Sequence, residues 1–184
     1  CGGFAFGGMF AYIAGTPFIY MELFQLSPQQ YSGLFAANIL AMASGSLLNG
    51  QLVQKLGRNK SSLILLVCLS TAATALAVNG ITGMGGLWGL AIPLGFYVGT
   101  LGALAANCIS GTLHYFPNIS GTASSVFGVC QFGIGGFSGA LLAHFNDGTA
   151  LPMTLLIFCF AVAALVSFLV LAMKPTSRYS KSTQ

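Results

Sequence analysis

Hydroxyl-bearing side chains recur on one face of the first long apolar stretch. Tyr12, Thr16 and Tyr20 are spaced at i, i+4 and i+8, so that a helix would align them, and Pro17 beside them lacks a backbone donor. Aromatic rings can contact a lipophilic ligand while hydroxyls bond its polar groups. We therefore predict that Tyr12 and Thr16 line a binding cavity and that Pro17 is a kink or gate. Hydrogen bonding between helices is the alternative.

Amide side chains supply the other candidate contacts. Asn38, Asn107 and Gln131 each lie inside an apolar run, where an amide is costly unless it faces protein or water. We predict that all three contact a substrate, with Phe132 as a stacking neighbour of Gln131. Structural bonding between helices remains the alternative for the two asparagines.

The reactive side chains do not form a catalytic or metal-binding pattern. Ser110 and His114 could suggest a serine hydrolase, but no arrangement of nucleophile, base and oxyanion donors supports one. The five cysteines lack metal-ligand spacing and fit small residues of apolar helices. We therefore expect no enzyme activity, metal or cofactor. Nucleic-acid binding is not expected either, because the few cations are explained by topology.

Composition requires membrane-spanning helices to hold these side chains. Charged residues make up 4% of the chain and hydrophobic residues 55%, whereas a soluble domain averages about 25% charged residues. A helix crosses the hydrocarbon in about 20 apolar residues, and turn-forming sequences separate the apolar runs. We predict an all-α bundle of six transmembrane helices. The predicted spans are about 2–21, 31–54, 61–79, 87–113, 121–145 and 151–173.

The distribution of charge predicts the orientation of these spans. Lys55, Arg58 and Lys60 lie between the second and third spans, and the other three cations lie in a basic tail at 174–184. Lys and Arg near span ends are retained in the cytoplasm. Both acids, Glu22 and Asp147, fall on the opposite side. We therefore expect both ends of this chain, including the tail, to be cytoplasmic.

The segment after the second span carries a recognisable pattern. It runs from Gly50 to Lys60 and contains Gly50, Gly57, Arg58 and Lys60. It resembles the second copy of the cytoplasmic loop motif of major facilitator transporters. Its physical logic is a glycine that permits close helix approach, a tight turn, and cations held at the cytoplasmic face.

Longer stretches make the resemblance more specific. They are Tyr12–Tyr20 and Phe116–Ser125 continuing into Gln131–Gly135, together with Asn38 and Asn107. Over nearly the whole chain they resemble the C-terminal half of the Bcr/CflA family of drug-resistance transporters. The resemblance implies that the six spans are helices seven to twelve of a twelve-helix major facilitator fold in a bacterial inner membrane.

The same resemblance implies a function and a set of partners. The function is secondary active export of small amphipathic drugs or toxic compounds by proton antiport. The implied partners are membrane lipids, the amphipathic substrate, protons and an N-terminal six-helix half, which usually holds the proton-coupling carboxylate. An importer or facilitator of a small polar metabolite on the same fold is the alternative.

Overall fold

Six long helices account for most of the chain in the computed structural model, which describes residues 1–172. All six are long and apolar enough to cross a membrane, so the six-helix prediction is confirmed. The helices are α1 (Gly2–Pro17, continued by a π-helix at Phe18–Leu23), α2 (Pro28–Leu56), α3 (Arg58–Thr82), α4 (Gly86–Tyr115), α5 (Ser120–Phe145) and α6 (Leu151–Ala172). The predicted basic tail, 174–184, and the last residue of the predicted sixth span lie outside the described residues.

Local sequence explains where α2 begins and ends. Ser27 and Gln30 form a reciprocal capping box, and Pro28 occupies the first helical turn. At the other end, Gly57 alone separates α2 from α3, with φ of 78°. That left-handed conformation suits glycine and lets the chain reverse in one residue. The segment predicted as a loop is therefore almost entirely helical, with Lys55 in α2 and Arg58 in α3.

The helices bury their surface unequally. Helix α2 packs mainly on α4, and α1 packs on α5 and α6, while α3 lies against α4 and α6. Side chains such as Leu66, Leu94 and Ile157 are fully buried between them. By contrast, α2 buries only Asn38 and Asn49. Its exposed apolar surface must therefore face lipid or protein outside this chain.

Small residues bring α2 and α4 into close contact. A Cβ atom placed on Gly45 would meet the backbone carbonyl of Gly99, and one placed on Gly102 would meet the backbone carbonyl of Met42. Gly50 behaves differently, because a Cβ atom there would find no described atom within 4 Å. The close approach predicted at Gly50 is therefore not made within residues 1–172, since this glycine lies on the exposed face of α2.

This contact predicts a difference between two glycines of the same helix. We expect Gly45→Ala to lower the free energy of unfolding by about 1–3 kcal/mol, because the new methyl group meets rigid backbone. Gly33→Ala should be neutral or slightly stabilising, since a Cβ atom at Gly33 has open space and alanine favours helix. Detergent-induced unfolding of the full-length protein measures both. Equal stability of the two variants would contradict the close contact.

Candidate ligand-binding groove

A groove of about 740 Å³ runs between α2 and α4. Its α2 wall extends from Leu34 to Leu52, a distance of about 27 Å at the helical rise of about 1.5 Å per residue. That length approaches the roughly 30 Å thickness of the hydrocarbon core. The lining is mostly apolar, and no charged side chain from the described part of the chain belongs to it. Its volume and composition are those of sites that bind drug-sized molecules.

Asn38 places an amide in the groove lining, and a hydrogen bond to Tyr12 of α1 holds this amide in position. The side chain is 5% exposed and lines the groove, and its Nδ2 donates to the Tyr12 hydroxyl over 3.1 Å. Tyr12 is itself buried, and its ring stacks on Phe35 at 6.1 Å. The structure thus joins two of the sequence-predicted contacts, Tyr12 and Asn38, in one hydrogen bond between α1 and α2.

Tyr12, Thr16 and Tyr20 are all buried, but they differ in whether they line the groove. Thr16 is buried, and its hydroxyl donates to the backbone carbonyl of Tyr12 at 2.9 Å. Neither Tyr12 nor Thr16 is among the residues that line the groove, whereas Tyr20 is. Tyr12 stacks on Phe35 and Tyr20 contacts Tyr31, and these two partners on α2 contact each other. The two tyrosines therefore still face the same helix, although the chain is π-helical from Phe18 to Leu23. Substrate contact by Thr16 stays a prediction.

Pro17 marks the point where the helix type changes. It is the last residue of α1, and the π-helix begins immediately after it. Within that π-helix the Tyr20 hydroxyl is enclosed and has no hydrogen-bond partner among the described residues. π-Helical turns are frequent at functional sites. A kink or gate at Pro17 stays a prediction, and the change of helix type gives it a structural position.

Asn107 belongs to a buried group of four side chains, which we call the polar cluster: Asn49, Ser61, Ser62 and Asn107. Asn49 Nδ2 donates to Asn107 Oδ1 at 2.6 Å, and the Ser61 hydroxyl donates to Asn49 Oδ1 at 3.0 Å. Asn107 Nδ2 reaches both Ser61 and Ser62, at 3.3 and 3.2 Å. All four residues are at most 7% exposed. The polar cluster therefore joins α2, α3 and α4.

The polar cluster also lies between two cavities. Asn49 lines the groove, whereas Asn107 and Ser62 line a second cavity of about 680 Å³ near Arg58. Because Asn107 bonds only other helices here, its predicted substrate contact stays a prediction. The sequence argument missed Asn49, Ser61 and Ser62 as partners. The sequence signal that could have indicated this pairing is that Asn49 and Asn107 each lie near the end of an apolar run.

Gln131 and Phe132 lie on a different helix and away from the groove lining. Gln131 is 8% exposed, whereas Phe132 is 67% exposed. The Phe132 ring makes an edge-on contact with Phe10 of α1, with 5.8 Å between centroids. The structure therefore does not bring this pair to Asn38. Their predicted substrate contacts stay predictions, on the surface where α5 packs against α1.

The charged residues of segment 1–172 lie outside the groove. Arg58 is in the first turn of α3, with its side chain beside Gly111 of α4. At the other end of the bundle, Glu22 is exposed. Hydrogen bonds from the Thr149 hydroxyl and backbone N–H hold the pKa of the Asp147 carboxyl below its usual range. Asp147 is thus ionised at neutral pH, as expected of a loop carboxylate.

Two curated proteins match this chain. It is 29% identical over 179 residues to the bicyclomycin resistance protein homolog of Haemophilus influenzae, covering 97% of the chain and 44% of that protein. It is 32% identical over 166 residues to the uncharacterized MFS-type transporter YdgK of Bacillus subtilis, covering 90% of the chain and 41% of that protein. The chain therefore spans less than half the length of these curated relatives. No family model and no solved structure matches it.

These relatives test two expectations from the sequence: the likeness to major facilitator transporters and the likeness to the Bcr/CflA family. MFS denotes the major facilitator superfamily, and a bicyclomycin resistance protein homolog is the kind of relative that the Bcr/CflA resemblance predicts. The six apolar helices fit about half of such a transporter. The multi-pass fold and the two relatives therefore confirm the resemblance: the chain is similar to part of a bicyclomycin resistance protein homolog and to part of an MFS-type transporter.

Proposed function

We propose that this chain supplies helices seven to twelve of a bacterial inner-membrane transporter that exports small amphipathic compounds by proton antiport. The observation that carries the proposal is the groove between α2 and α4, whose volume of about 740 Å³ and uncharged, mostly apolar lining suit such compounds. The name of the Haemophilus influenzae relative, a bicyclomycin resistance protein homolog, supports export of a toxic compound.

The unequal burial of the helices supports an assembly with a second half. Exposed side chains of α2 include Leu40, Leu47 and Leu48, each at least 65% exposed, and α5 adds Val129 and Phe132. In our proposal an N-terminal six-helix half covers part of this surface and lipids cover the rest. The cations near Gly57 then face the cytoplasm, as do both ends of the chain.

Proton coupling is assigned to the half outside this chain. The sequence holds two acids, Glu22 and Asp147. Neither lines the groove, and Asp147 is an exposed loop residue whose carboxyl accepts hydrogen bonds from Thr149. A carboxylate that binds and releases protons during transport therefore belongs to the N-terminal half. The proposal includes no catalytic step, no cofactor and no nucleic acid.

Accumulation of an uncharged fluorescent amphiphile tests this function. We expect cells that express the full-length transporter to accumulate several-fold less N-phenyl-1-naphthylamine than uninduced cells. A protonophore should abolish the difference, because antiport draws on the proton gradient. Fluorescence of the cell suspension before and after protonophore addition measures both effects.

Two outcomes would contradict parts of the proposal. A difference that survives the protonophore would rule out proton antiport. Equal dye accumulation, combined with faster counterflow of a small polar metabolite in liposomes, would favour the importer or facilitator instead.

A further inference from the structure

We infer that the groove recognises a hydrogen-bond donor on its ligand through the side-chain oxygen of Asn38, with Tyr12 as a positioning residue that holds this amide in place. The inference rests on the proposed function, because it takes the groove as the wall that contacts the transported compound. It adds a chemical requirement: an uncharged, largely apolar ligand that carries an O–H or N–H group.

The hydrogen bond to Tyr12 holds the Asn38 amide in place, with its nitrogen facing the tyrosine in this structure. Its Nδ2 donates to the Tyr12 hydroxyl at 3.1 Å, so Oδ1 is directed away from that partner. No described side chain or backbone N–H donates to this oxygen. The enclosed side-chain atoms without a partner are those of Tyr20, Ser70 and Ser138. Asn38 Oδ1 is not among them, so it is both unpaired and accessible.

The residue opposite Asn38 leaves room at this oxygen. Gly95 of α4 lines the same groove, and a Cβ atom built there would lie 3.2 Å from Asn38 Oδ1. A side chain at this position would crowd the oxygen. With glycine there, the acceptor stays open to the groove. An unpaired acceptor among apolar walls is unfavourable, and a ligand donor would satisfy it.

Tyr12 is suited to hold Asn38 and not to contact the ligand itself. Its side chain is 2% exposed and its ring stacks on Phe35. Tyr12 does not line the groove, whereas Asn38 does. Tyr12, predicted from the sequence to contact the ligand, thus acts indirectly: it holds Asn38 so that the Asn38 side-chain oxygen faces the groove.

A pair of small probes that differ in one donor tests the inference. 4-Bromophenol carries an O–H group, 4-bromoanisole carries O–CH₃ in its place, and bromine quenches a neighbouring tryptophan. The reporter is Phe96→Trp, beside Gly95 in the groove lining, in a full-length protein with Trp88→Phe. The quenching of the reporter is the quenching measured with Phe96→Trp minus that of the same protein without Phe96→Trp, which removes the signal of other tryptophans. Comparing variants cancels the different partitioning of the two probes into detergent.

We expect Asn38→Leu to reduce the preference for the phenol over the anisole about fivefold, the effect of one hydrogen bond. Tyr12→Phe should reduce the preference in the same direction while leaving anisole binding unchanged. A role in packing alone would weaken both probes equally. Tyr97→Phe is the matched control, because Tyr97 is a fully buried tyrosine outside the groove that donates to the Ala5 carbonyl. It should leave the preference unchanged.

An unchanged preference in Asn38→Leu would overturn the inference and leave the groove as a binding site. Absence of groove quenching by either probe would overturn both the inference and the groove as a ligand site. Neither result depends on export, so dye accumulation in cells judges the proposed function separately.

Discussion

An Asn107→Leu substitution is expected to lower the free energy of unfolding of the full-length protein by about 2–5 kcal/mol. Asn107 makes three buried hydrogen bonds, to Asn49, Ser61 and Ser62. Such bonds average about 0.6 kcal/mol in membrane proteins and reach about 1.7 kcal/mol. Leucine also leaves the Asn49 amide without its acceptor in an apolar environment, which adds the cost of an unpaired polar group.

Unfolding in mixed detergent micelles measures this loss, with Asn118→Leu as the matched control because Asn118 is exposed. A double-mutant cycle adds a sharper test. Since Asn49→Leu removes the other half of the 2.6 Å hydrogen bond, the double variant should lose less stability than the sum of the two single variants. If Asn107→Leu were as stable as Asn118→Leu, the polar cluster would not join α2, α3 and α4 as described.

The number and type of the helices could be predicted from the sequence because lipid leaves few alternatives. A chain with 4% charged residues and apolar runs of span length must satisfy its backbone groups internally, which favours helices. Helix ends were harder to place. The cationic segment around Gly57 was expected to form a loop, but a single residue with positive φ is sufficient for the reversal.

The candidate site could be predicted only in part. Asn38 was recognised because an amide in an apolar run requires a polar partner, and the structure gives it the Tyr12 hydroxyl at the edge of the groove. Helical spacing could not foresee that the chain is π-helical after Pro17, or that Tyr20 lines the groove while Tyr12 does not. Nor could it foresee which amides bond each other, because the pairing of Asn49 with Asn107 depends on how α2 packs on α4.

Under the proposed function, blocking the groove is expected to abolish export. Ser44 is an exposed residue of the α2 wall, next to Gly45 where α2 meets α4. A bulky maleimide attached to Ser44→Cys would occupy space that the transported compound requires. Thr74→Cys is the matched control, since Thr74 is an exposed hydroxyl residue of α3 that does not line the groove. Both variants are made in a full-length protein without its native cysteines.

Dye export before and after maleimide treatment of Ser44→Cys tests most directly the claim that the groove contacts the exported compound. If the groove contacts the exported compound, export by fully modified Ser44→Cys should fall to the level of uninduced cells. Modified Thr74→Cys should export normally. Mass spectrometry establishes the extent of modification. Undiminished export by fully modified Ser44→Cys would contradict the claim.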